Sequence, residues 1–209
     1  MERIDKTRGL EFVRALRCAG HKEYLEKYFL FSAAPVIAGI KPSVLISFRR
    51  CCEKVWKECE EQICEMTNLK TIRLYENDLI FGVLAYDAYA LGDKIKTRQA
   101  ANILKDYGYK EKAKTEELLN ILKSRFTENG FPHEIGVFLG YPPKDVGSFI
   151  ETRGKGYICC QYWKVYHDEQ LARETFKNID KSKSQAIYLI MRKIPLKTAA
   201  KKLAAMKNN

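Results

Sequence analysis

What the chain lacks narrows it first. No window reaches the roughly 18 uninterrupted apolar residues that a membrane-spanning helix needs. The opening stretch Met1-Glu2-Arg3-Ile4-Asp5-Lys6 has none of the apolar core of a secretory signal, so the expected location is the cytoplasm, with no membrane partner. There is no Walker loop, no GxGxxG and no HExxH, which leaves nucleotide hydrolysis and metalloprotease chemistry without support. Histidine is scarce, with three in 209 residues. The seven cysteines are odd in number and partly adjacent (Cys51-Cys52, Cys159-Cys160), a poor disulfide framework that fits a reducing compartment. Cys51, Cys52, Cys59 and Cys64 lack paired CxxC spacing, so no metal and no cofactor are expected. Acid is absent from Ser184 onward, where six Lys or Arg stand alone.

What is present suits one soluble globular domain over residues 1–209, with 46% hydrophobic and 30% charged residues. The net charge of +11 is uneven, since residues after 150 carry +8 of it. A basic carboxy-terminal helix over about 184–209 is expected, a surface that could meet nucleic acid or an acidic protein.

Helical spacing of Leu10, Phe12, Val13, Leu16 and Cys18 predicts an amino-terminal helical extension over about 1–30, interrupted at Gly20. Ser32 reads as the N-cap of a short helix with Pro35 in its first turn, ended by Gly39 and Pro42. Residues 43–66 read as helix from Cys52, Val55, Trp56, Cys59, Ile63 and Cys64. Thr71–Glu76 and Leu79–Tyr86 form a hairpin about Asn77-Asp78. Helices follow over about 93–107 and 111–126. Phe131–Tyr141 reads as a central strand stopped by proline, Lys144–Thr152 as a short helix and Tyr157–Tyr166 as a further strand. Arg153-Gly154-Lys155-Gly156 turns the chain, and Asp168 caps a helix running to about Ile179. The order gives an α+β fold, with an antiparallel sheet of about four strands packed against several helices.

Chemistry concentrates in two of these segments. On a strand, His133 would close an aliphatic face with Ile135, Val137 and Leu139, where a lowered dielectric tunes an imidazole, while Glu134 lies on the other face. In Tyr157–Tyr166, Cys159, Gln161 and Trp163 share one face and Cys160, Tyr162 and Lys164 the other. Gln161 would then be placed to orient the imidazole or to donate to an oxyanion. Tyr141, Trp163, Lys164 and Tyr166 are the candidate substrate-binding residues, for a small molecule or peptide, and Trp163, Tyr162 and Tyr166 would also line a ligand pocket.

The segments Pro132-His133-Glu134-Ile135-Gly136-Val137-Phe138-Leu139-Gly140-Tyr141-Pro142, Asp145-Val146, Phe149-Ile150 and Tyr162-Trp163-Lys164-Val165-Tyr166 resemble domain-of-unknown-function family 3793, a bacterial family. Ala34-Pro35 and Ala38-Gly39-Ile40-Lys41-Pro42 are similar to its amino-terminal motif. The resemblance implies a cysteine directly before the Ala-Pro pair, a position held here by Ala33. A helix-borne cysteine, a strand-borne histidine and a later polar side chain follow the order of papain-like enzymes, by analogy of fold only. In relatives with that cysteine, the implied chemistry is acyl transfer or hydrolysis of an amide or thioester, with His133 as base and Glu134 supporting it. Ala33 has no thiol, so this chain would be inactive in that reaction. The alternative is a non-enzymatic binding module.

Overall fold

The hairpin about Asn77 organises the sheet. Asn77 Oδ1 accepts from the amides of Leu79 and Ile80, both at 2.9 Å, so the turn closes on its own side chain. In the computed structural model, which describes residues 6–111, 113–128 and 130–208, this turn joins β2 (Lys70–Glu76) to β3 (Ile80–Tyr86). Residues 1–5 of the expected amino-terminal extension, Lys112 in the expected 111–126 helix and Asn209 at the basic end lie outside the described residues.

The third strand comes from a segment read as helix. Ser43–Arg49 forms β1, antiparallel to β3 from Ser43↔Tyr86 to Arg49↔Ile80, and the sheet order is β1-β3-β2. Val44, Ile46 and Phe48 share the face toward one core while Leu45 turns to the other, a period-two pattern that Pro42 isolates from the preceding helix. The helical spacing belongs only to α3 (Glu53–Thr67), which follows a 3-10 turn at Arg50–Cys52.

The central strand β3 is covered on both faces. Phe81, Val83 and Ala85 enter one core and Leu84 and Tyr86 another, the alternation a pleated strand imposes. Gly82 permits a close approach here, because a side chain at that position would run into the Tyr75 ring.

The first core lies under α2 (His21–Ile37), which packs on β1 and receives α1 (Lys6–Cys18) and α3. Stacked rings of Phe48 and Trp56, 4.8 Å between centroids, sit at its centre. The expected break at Gly20 falls between α1 and α2, whereas Ser32 and Pro35 lie inside α2. The second core is built by α4 (Ala88–Ile95), α5 (Arg98–Lys105), α6 (Thr115–Glu128), α7 (Ile135–Phe138) and α8 (Pro143–Glu151).

Two strand expectations are corrected. Phe131–Tyr141 is a turn followed by the single helical turn of α7, and Gly140 ends it at φ +73°. Every residue from Glu134 to Leu139 is buried, so the run carries neither a strand nor a helix period, and length decides nothing for so short a segment. Tyr157–Tyr166 holds only a two-stranded hairpin, β4 (Cys159–Cys160) with β5 (Lys164–Val165), detached from the main sheet. The main sheet therefore has three strands. Asp168 does cap the next helix, its side chain accepting from the Leu171 amide at 3.0 Å, but α9 continues from Glu169 to Met191. Its buried positions Ser182, Ala186, Ile187, Leu189 and Ile190 carry it past Ile179. The basic end is thus the last turns of α9 followed by α10 (Leu196–Ala204). The fold is mixed helix and sheet, as the element order implies.

Candidate functional site

Three distant segments converge where α2 ends. Ala38 and Gly39 close α2, with Gly39 at φ +71°, and the amides of Ile40 and Lys41 both donate to the Pro35 carbonyl at 2.9 and 3.1 Å. That doubly held turn fixes Lys41. Pro42 then meets Gly140 so closely that any side chain at 140 would collide with its ring. The contact sets Lys41 beside the next residue, Tyr141, with the ammonium 4.9 Å from the ring centroid. Tyr141 stacks on Trp163 at 5.2 Å, and Trp163 meets Phe176 of α9 edge-on at 4.5 Å.

A buried carboxylate holds the hairpin to α8. Asp145 is 3% exposed and accepts from Trp163 Nε1 at 2.9 Å, the Tyr166 amide at 3.0 Å and the His167 amide at 3.1 Å. Three donors satisfy one carboxylate and lock the direction in which the hairpin presents its aromatic rings.

A second carboxylate orders the outer wall. Asp180 on α9 accepts from Tyr162 OH at 2.6 Å and from Gln161 Nε2 at 3.0 Å. One turn further along α9, Lys183 lies 4.7 Å from the Tyr162 ring and 5.2 Å from the Phe31 ring. Lys41 and Lys183 are half-buried amines, close enough to repel each other. Burial, with the Lys183 charge second, pushes the Lys41 amine down to about 8. Burial also lowers Lys183, opposed by Asp180. Burial, then Cys160, pushes the Tyr141 hydroxyl up to about 12. Neither lysine has a carboxylate within ion-pairing distance among the described residues. Asp180, already engaged by two neutral donors, offsets one of the two positive charges at longer range.

The residues singled out from sequence fall into separate places. Tyr141, Trp163, Gln161 and Tyr162 belong to this cluster. Lys164 faces away from it, donating to the Gly154 carbonyl at 2.7 Å and lying 4.9 Å from the Tyr157 ring. It clips the Arg153–Gly156 turn. Tyr166 OH accepts from Thr152 Oγ1 at 3.5 Å. His133 is exposed on the turn before α7, its ring 5.2 Å from Phe149. Glu134 is wholly buried, where it takes Arg125 Nε and the Tyr109 hydroxyl, the latter at 3.2 Å. It anchors α6 to α7. Ala33 is fully buried in the first core, while the segment after His133 packs into the second. The described contacts do not bring Ala33, His133 and Gln161 together.

Another histidine does meet a hydroxyl. His167 Nε2 and Ser148 Oγ are 3.0 Å apart at the rim of a shallow cleft of about 350 Å³ between α5 and α8. Asp145 holds the main-chain amide of His167, and among the described residues no third group is hydrogen-bonded to its ring as a catalytic triad requires.

Lys41, Lys183, Asp145 and Asp180 were not among the candidates read from sequence. Lys41 and Lys183 gain their roles from distant rings, Tyr141 and Phe31, whereas Asp145 and Asp180 take donors 18–22 residues away across the hairpin. The one local signal was a lysine held between Gly39 and Pro42, in a turn too constrained to be a free tether.

The site thus defines a mixed α/β protein with an aromatic, cationic cradle. The chain belongs to the family described as "Protein of unknown function (DUF3793)", whose model matches residues 29–199. No curated protein and no solved structure matches the chain. The segments that carry the family resemblance, Ala38–Pro42, Pro132–Pro142 and Tyr162–Tyr166, are the ones that meet through Lys41, Tyr141 and Trp163.

Proposed function

We propose that this chain is a non-enzymatic binding module that takes a small phosphate- or carboxylate-bearing ligand at Lys41 and Lys183. The observation that carries the reading is the Lys41 amine, half-buried on Tyr141, beside a second amine and with no carboxylate in ion-pairing distance among the described residues. Taking an ammonium out of water without a counter-charge is costly, and an incoming anion removes that cost. The half-buried rings of Tyr141 and Tyr162, backed by Trp163 and held by Asp145 and Asp180, supply an apolar surface for the rest of the ligand. A papain-like reading, with a nucleophile at position 33 and His133 as base, would need the side chain at 33 to reach solvent. The full burial of Ala33 favours binding over that reaction. A cytoplasmic location is part of the proposal. It is supported by seven cysteines that are all free thiols, and among the described residues no helix is long and apolar enough to cross a membrane.

The test is a calorimetric titration at low salt with pyrophosphate and, separately, citrate, on the parent protein, Lys41→Met and Lys183→Met. The parent is expected to bind one of the two saturably, and each variant to bind it at least tenfold more weakly. Absence of saturable binding by both probes, or equal binding by Lys41→Met, refutes the reading.

A second binding surface has its own support. Arg192, Lys193, Lys197, Lys201 and Lys202 are all exposed, and none has an acidic partner among the described residues. Meanwhile Leu196, Ala199, Ala200 and Leu203 fix α10 against α2 and α3. A rigid cationic face of this kind fits a nucleic-acid backbone. Binding of a labelled single-stranded RNA should then fall steeply with salt and be lost in Lys197→Glu/Lys201→Glu/Lys202→Glu. A flat salt response argues against it.

A further inference from the structure

We propose that His21, Cys51 and Cys52 form an open three-ligand site for a thiophilic metal ion, Zn²⁺ being the ion whose geometry they fit. One ligand atom from each lies within 4.8 Å of the other two, and the two sulfurs are 3.9 Å apart. Two thiolates at about 2.3 Å from a tetrahedral zinc stand roughly 3.8 Å from each other, so the sulfur pair already has the required spread. The imidazole nitrogen, within 4.8 Å of both sulfurs, would close to roughly 3.5 Å from each to share the ion.

The fold explains how neighbours in sequence come to face one point. In an extended strand, Cys51 and Cys52 would point to opposite sides. They sit instead on the 3-10 turn Arg50–Cys52 that links β1 to α3, and His21 is the first residue of α2, whose body packs on α3. All three ligands therefore hang on ends of elements held by the first core. Cys52 is buried while Cys51 and His21 are exposed, so the site is anchored on one side and open on the other. Three protein ligands with a free fourth position are the arrangement of a metal centre that exchanges a ligand, whereas purely structural zinc sites are closed by four. Two thiolates also cancel the charge of a divalent ion, which a half-buried location favours. Thiolate and imidazole ligands select zinc or copper(I) over magnesium and calcium. The site lies in the first core, apart from the Lys41 cradle, and its test does not depend on that reading.

The test uses the full-length reduced protein and Co²⁺ as a spectroscopic substitute for zinc. One equivalent of Co²⁺ is expected to give the thiolate-to-cobalt charge-transfer band and the strong visible bands of tetrahedral cobalt. One equivalent of Zn²⁺ should bleach both. Cys51→Ser, at an exposed position, should weaken binding at least tenfold and diminish the charge-transfer band. His21→Gln should weaken binding by a similar factor and keep that band. Cys18→Ser/Cys160→Ser, which removes two exposed thiols elsewhere, should leave the titration unchanged. No saturable one-to-one signal overturns the proposal, as does a signal that survives Cys51→Ser or vanishes with Cys18→Ser/Cys160→Ser.

Discussion

Replacing Asp145 by alanine removes one carboxylate and leaves three donors without their acceptor. They are not equal. The indole N–H belongs to a residue only 8% exposed, and water cannot replace its partner. An orphaned donor of that kind costs about 1–3 kcal/mol, and the upper half of the range applies where water is shut out. The amides of Tyr166 and His167 lie where the chain leaves β5, half-buried and exposed respectively, so solvent recovers part of each bond. Roughly 1 kcal/mol apiece is appropriate there. The sum is a loss of about 4–5 kcal/mol. For a chain of this size that lowers Tm by roughly 10 °C. Asp145→Asn keeps an acceptor oxygen but turns a donor toward one of the same groups, and should cost about half as much. The assay is urea denaturation followed by tryptophan fluorescence, with Asp145→Ala, Trp163→Phe and the double variant as a cycle. A coupling of about 1–2 kcal/mol is expected between the two sites. An Asp145→Ala protein within about 0.5 kcal/mol of the parent would refute the reasoning, as that is the range of an ordinary surface change.

Three further outcomes follow from the same contacts. Glu134→Leu strands the Arg125 guanidinium and the Tyr109 hydroxyl, and should lower stability by about 3–5 kcal/mol in urea; a neutral result would mean that Arg125 finds water. Gly140→Ala forces a side chain into the Pro42 ring at φ +73° and should cost at least about 2 kcal/mol, read as a fall in Tm; an unchanged Tm would mean that the two loops separate freely. The lowered Lys41 amine makes stability depend on pH. Folded, it loses its proton from about 8, while unfolded it keeps it to 10.5. Between those values the unfolded chain binds more protons, so stability rises with pH. Discounted for a half-exposed group, the rise is about 1–2 kcal/mol between pH 8 and 10.5. Urea midpoints should show it in the parent and not in Lys41→Met, and equal slopes in the two proteins would contradict it.

How far the sequence reveals this fold depends on whether a signal is local. The β2–β3 hairpin is legible because Asn77 closes its own turn. Gly39 and Asp168 act as helix punctuation for equally local reasons, a positive φ and a side-chain cap. β1 was hidden because its alternation runs straight into a true helix, and the combined stretch from 43 to 66 satisfies helical spacing on its second half alone. The core of Phe131–Tyr141 was unreadable in principle, since a run such as Glu134–Leu139, buried on every side, has no period. Of the two acids of the cradle, Asp145 stood in an expected helix and Asp180 just past the expected end of another. Their function is to receive Trp163 and Tyr162, and only the folded chain brings those donors to them. Cys51 and Cys52 look inert in sequence because they lack paired CxxC spacing, and it is the 3-10 turn that sets their sulfurs 3.9 Å apart.

The central claim is that Lys41 is an amine waiting for an anion. Carbon NMR of the Lys41 Cε in selectively labelled protein, assigned with Lys41→Met, reports its titration directly. The account predicts a midpoint at about 8 in the free protein, shifted upward by the anion that binds saturably. A midpoint at the ordinary 10.5, unmoved by pyrophosphate and by citrate, would contradict it.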